Sequence, residues 1–160
     1  MSDRNPGPAT PAERQGALTE DLARVLLASV ELPDRWRRLS CGFIPDGEGW
    51  AGRIVVIDAA GPPSGGDARF GTDSQISLLM DALQQTAADQ QRPFVSLRLD
   101  IGRSDEDSAS VALGAEVNED QDPGSFDGIG GVDAVAARRF ADRFGEDAMP
   151  PWMRERLAGD

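Results

Sequence analysis

Two stretches of strict alternation constrain this chain most. From Phe94 to Ile101, Val95, Leu97, Leu99 and Ile101 fall on one side, and Ser96, Arg98 and Asp100 on the other. After a polar turn at 102–107, the run from Ser108 to Val117 repeats the pattern, with Ala109, Val111, Leu113, Ala115 and Val117 on one side. A period of two sends successive side chains to opposite faces of a strand. Such a pair therefore predicts a sheet buried on one face and wet on the other, the antiparallel signature.

The rest of the chain supplies a second hairpin and the helices. Trp36 to Ile44 and Trp50 to Asp58, the latter centred on β-branched Ile54, Val55, Val56 and Ile57, read as strands. Between them Pro45-Asp46-Gly47-Glu48-Gly49 is dense turn chemistry. Leu18, Leu22, Val25 and Leu26 recur at helical spacing in a segment from Glu13 to Val30, which Pro33 stops. Ile76, Leu79, Met80, Leu83 and Ala87 form a second stripe, with Thr72 or Asp73 as its cap. Val132 to Phe144 is a third helix ended by Gly145, and Met149 to Leu157 a short closing helix anchored by Trp152. Residues 59–71 and the acidic, Gly-rich 118–131 read as loops. The expectation is an α+β domain: one antiparallel sheet of about four strands from two hairpins, with an N-terminal, a central and a C-terminal helix on one face. A length of 160 residues suits one domain. Residues 1–11, polar and rich in Pro and Gly, read as a flexible tail, and 12–160 as the folded unit.

Composition narrows the chemistry. The chain has no His, Lys or Tyr. A Ser-His-Asp or Cys-His arrangement, a Schiff base and a Walker-type phosphate site are thereby excluded. Cys41, the single cysteine, lies mid-strand beside Leu39 and Phe43 and reads as a small buried thiol. Its solitude, and the lack of a long apolar run, suggest a reducing, cytoplasmic setting. Asn118, Asp120 and Asp122 loosely resemble a calcium loop, but Pro123 stands where the tight turn needs Gly, and Ile129 where a Glu ligand belongs. No metal or cofactor is expected. The glycines of 128–131 precede a helix, but Asp122, Asp127 and Asp133 around them would repel phosphate.

What remains is charge. Asp plus Glu number 28 against 16 basic residues, a formal net charge of −12, which repels nucleic acid and anionic membrane alike. A cationic protein partner is the complementary expectation, with Asp105, Glu106, Asp107, Glu116, Glu119, Asp120, Asp122 and Asp127 rimming the wet face of the second hairpin. Trp36, Trp50 and Trp152 read as core or partly buried anchors, since aromatics are only 6% of the chain and losing them would leave a thin core.

The layout resembles a known group. A helix leads into LPDRW at 32–36, then a hairpin carrying Trp50, a helix with Ile76, Leu79 and Leu83, the strand FVSLRLDI at 94–101, and PPW at 150–152. This is similar to the YezG-like group and related immunity proteins of bacterial polymorphic toxin systems, over roughly residues 15–157. The chain departs from that group in lacking Tyr. The resemblance implies a non-enzymatic protein that binds a cognate toxin domain, such as a nuclease or deaminase, and occludes its basic cleft. The rival expectations are a chaperone or adaptor for a secreted effector, and a carboxylate metal enzyme using Asp120, Asp122 and Asp127.

Overall fold

Strand β1 (Trp36–Asp46) turns directly into β2 (Gly49–Asp58), with Asp46 opposite Gly49 and only Gly47 and Glu48 between them. Gly47 has φ 56°, a conformation that favours glycine, and this makes the two-residue connection possible. The computed structural model describes residues 7–59, 61–103, 111–125 and 129–159. Strands β3 (Ser64–Phe70), β4 (Ser96–Arg103) and β5 (Val111–Asn118) complete one antiparallel sheet of order β3-β2-β1-β4-β5.

The apolar registers line up across the sheet. Leu39 pairs with Val56 and Ile101, Cys41 with Ile54 and Leu99, and Phe43 with Gly52 and Leu97. Onto this face pack α1 (Pro11–Ser29) and α2 (Gln75–Asp89). Leu22 and Leu26 of α1 and Ile76, Met80 and Leu83 of α2 bury themselves among the strand residues. Each such side chain contributes about 1.5–3 kcal/mol on leaving water. Trp36 joins this core, 8% exposed, although simple alternation places it with Arg38 and Ser40. A register shift between Trp36 and Arg38 turns it inward.

Helices α3 (Ala134–Phe144) and α4 (Pro151–Ala158) gather a second, smaller core around Val95, where Val132, Ala136, Phe140, Met149 and Met153 meet. Gly145, at φ 89°, and a single 3₁₀ turn at Glu146–Ala148 link the two helices. Among the described residues, no helix packs on the other face of the sheet. Among the described residues, Ile129 packs at one end of that face on Ile44 and Ala51.

Several expectations need correction. Residues 59–71 are not wholly loop, because β3 lies within them and makes the sheet five-stranded. Its sequence, SGGDARF, has little strand propensity of its own, and pairing with the free edge of β2 creates it. Ser74, not Thr72 or Asp73, caps α2, its hydroxyl accepting from the Ser77 amide at 3.1 Å. Thr10 caps α1, which starts at Pro11 inside the expected tail. The C-terminal part holds two helices that form their own cluster rather than joining the main helical layer. Finally, β5 does not bury its apolar side: Val111 is 40% exposed, Leu113 38% and Val117 45%.

Candidate functional site

The helix-free face of the sheet is organised around one carboxylate. Asp100 on β4 accepts at Oδ1 from Ser40 Oγ (2.7 Å) and Arg38 Nη2 (3.0 Å), both on the neighbouring β1. Its Oδ2 accepts from Arg98 Nε at 3.2 Å. Partial burial alone would raise its pKa. The Ser40 and Arg38 hydrogen bonds and the charges of Arg98 and Arg38 outweigh that and hold it below the ordinary Asp value. Asp100 is therefore a fixed negative charge and a weak base, suited to holding two guanidinium groups in place on a flat surface.

Toward β5 this surface becomes acidic. Glu116 stands opposite Arg98 in the ladder and forms no ion pair among the described residues. It edges a shallow cavity of about 290 Å³ lined by Gly42, Ile44, Ser96, Arg98, Asn118 and Pro123. Glu119 and Asp120 follow, both exposed. The segment that bears them is fastened down. Asn118 Nδ2 donates to Ser96 Oγ (3.0 Å) and to the Gln121 carbonyl (2.6 Å), while the Gln121 amide donates to Asn118 Oδ1 (2.9 Å). Trp152 Nε1 of α4 donates to the Asp120 carbonyl at 2.8 Å.

The candidate acids thus divide. Glu116, Glu119 and Asp120 lie together at the end of β5. Asp122 is engaged within the chain: Arg156 binds its carboxylate, donates to the Val132 carbonyl (2.7 Å), and stacks 5.2 Å from the Trp152 ring centroid. Asp105, Glu106, Asp107 and Asp127 lie outside the described residues. Among the described residues, no group of three Cys, Asp or Glu side chains converges as metal ligands would.

Sequence reasoning missed a second polar cluster. Asp81 of α2 accepts from Trp50 Nε1 (2.9 Å) and from Arg139 of α3 (2.7 Å), and lies 3.4 Å from Arg143. Arg143 also donates to Gln84 Oε1 (2.6 Å), and Gln84 in turn donates to the Phe94 carbonyl (2.7 Å). Burial lowers the Arg143 pKa, Asp81 opposes that, and Arg139 adds to it. The cluster joins α2, α3 and the first hairpin. Asp81 and Gln84 lie on α2, Arg139 and Arg143 on α3 and Trp50 on β2, so no local spacing joins them. Beside it is an open cleft of about 470 Å³ lined by residues of both signs, including Glu48, Arg138, Arg139 and Asp142.

Cys41 is fully buried, and burial pushes its thiol pKa well up, which makes it a poor nucleophile. The N-terminus of α3 is filled by its own Asp133, which accepts from the Ala136 amide at 2.8 Å. No helix among the described residues is long and apolar enough to cross a membrane. No protein-family model matches the chain, and no curated protein matches its sequence.

Proposed function

We propose that this protein is an immunity protein that binds a cognate toxin domain and occludes a basic substrate cleft. One observation carries the reading: the face of the five-stranded sheet on which no described helix packs ends in Glu116, Glu119 and Asp120, none of which is ion-paired among the described residues. Asp100 holds Arg38 and Arg98 in fixed positions on that face, so little side-chain entropy remains to be lost when a partner docks. The net charge of −12 draws a cationic cleft toward it, and the local acids set the approach.

The test is co-expression and co-purification with the product of the adjacent gene. The expected result is a stoichiometric complex that abolishes that protein's toxicity. Reversing three charges together (Glu116→Arg, Glu119→Arg, Asp120→Arg) should slow association about tenfold or more at low salt while leaving the fold intact. A complex in which the toxin stays active would point to an adaptor instead. A neighbour that is neither toxic nor bound removes the proposal.

A further inference from the structure

The polar side chains of the last helix fasten the segment that carries the acids. α4 is eight residues long, too short to persist by itself, and it is seated through Met153, fully buried in the second core. That seat is firm, because α3, which shares the core, is tied to Asp81 of α2 through Arg139 and Arg143. From this base two side chains reach the segment after β5. Trp152 Nε1 donates to the Asp120 carbonyl at 2.8 Å. Arg156 binds the Asp122 carboxylate with one nitrogen, donates to the Val132 carbonyl with the other at 2.7 Å, and lies over the Trp152 ring. Asp122 also holds the bend of the segment, its Oδ1 accepting from the Gly124 amide at 2.9 Å where Gly124 turns with φ 78°. The returning chain passes so close that a Cβ on Gly131 would stand 3.0 Å from the Gly124 carbonyl oxygen and 3.5 Å from Arg156 Nη1.

The geometry points to Trp152 and Arg156 as positioning residues of the docking surface, acting through the segment they clamp to set Glu119 and Asp120 in place. The inference rests on the function proposed above and says how that surface is kept ready. Glu119 and Asp120 are exposed and sit between two fixings, Asn118 on one side and the Trp152–Arg156 pair on the other. Pro123, on the same stretch, forms part of the wall of the cavity beside Glu116. Net charge steers the whole approach, but a docked contact lasts only where the carboxylates already stand opposite the arriving cation. A segment that must first be ordered loses part of its binding free energy to that ordering. Asp122, one of the acids expected to face a partner, belongs to the clamp instead.

Two substitutions separate position from charge. Trp152→Phe keeps an aromatic ring and the net charge and removes the indole N–H. Arg156→Gln releases Asp122 and makes the chain more acidic, which by long-range attraction alone would tighten capture of a cationic partner. Each variant should instead raise the Kd for the toxin encoded by the adjacent gene about three- to tenfold, mainly through faster dissociation. Trp152→Phe should leave the association rate and its salt dependence as they are in the wild type, unlike the triple charge reversal. In the free chain of either variant, hydrogen exchange at the Gly124 amide should rise while the β1–β4 ladder stays protected. Wild-type binding with kinetics unchanged in both variants overturns the inference alone. So does tighter binding by Arg156→Gln, or exchange at Gly124 that stays slow in both variants. A wild-type chain that captures no toxin removes the proposed function, and this inference with it.

Discussion

Asp100 and Asp81 are each a single carboxylate holding two arginines, yet they act in different places. Asp100 ties β1 to β4 on the open face through Arg38, Ser40 and Arg98. Removing it in Asp100→Ala leaves two guanidinium groups facing each other and should cost about 1–2 kcal/mol in urea denaturation. Its pH dependence has a definite sign. The folded pKa lies below the unfolded value of about 3.9, so the stabilisation is complete above that value and disappears as pH falls through the lowered one. The stability gap between wild type and Asp100→Asn should therefore be constant near neutrality and close in acid. Asp81 sits between elements, about a quarter exposed, with Trp50, Arg139 and Arg143 upon it. Asp81→Ala strands Trp50 Nε1 and Arg139, while Arg143 keeps Gln84 and the residue-81 carbonyl, and should cost about 2–4 kcal/mol; Asp81→Asn keeps an acceptor for Trp50 and should cost less. The alternation in Phe94 to Ile101 already places Asp100 on the wet side of its strand. Nothing marks Asp81, because its partners come from segments far apart in the chain.

Elements whose side chains alternate or recur strongly were legible in the residues alone. The strand of Leu97, Leu99 and Ile101 and the helix of Ile76, Met80 and Leu83 fall where hydrophobic periodicity puts them. What escaped is β3, because a Gly-rich strand has no periodicity and exists through its neighbour. That dependence is testable. A Cβ at Gly65 would lie 1.9 Å from the Ile54 carbonyl oxygen, so Gly65→Val should strip β3 from the sheet. Hydrogen exchange should then rise along β3 and the outer side of β2, with β1 and β4 still protected. Equal loss of protection in all five strands would mean that β3 is integral to the cooperative unit. The apolar side of β5 was misjudged for the converse reason: alternation reveals that a strand has two unlike faces, but not whether anything covers the greasy one.

At the scale of the molecule, the excess of acid over base opposes compaction. Screening shortens from about 30 Å at 0.01 M salt to about 10 Å at 0.1 M, so moderate NaCl should raise the urea midpoint of unfolding. A lower midpoint would show that local pairs such as Arg38–Asp100 and Arg139–Asp81 outweigh the long-range repulsion. The fold class and the missing catalytic side chains could be read from composition and pattern. The open face could be read only in part, since which acids remain unpaired depends on contacts such as Arg156 with Asp122 that no local spacing encodes. The chain's one sulfhydryl, on Cys41 between β2 and β4, lies under both helices of the main layer. Its alkylation by a maleimide should follow the rate at which the middle of the sheet comes apart, giving a built-in clock for global unfolding that needs no introduced label.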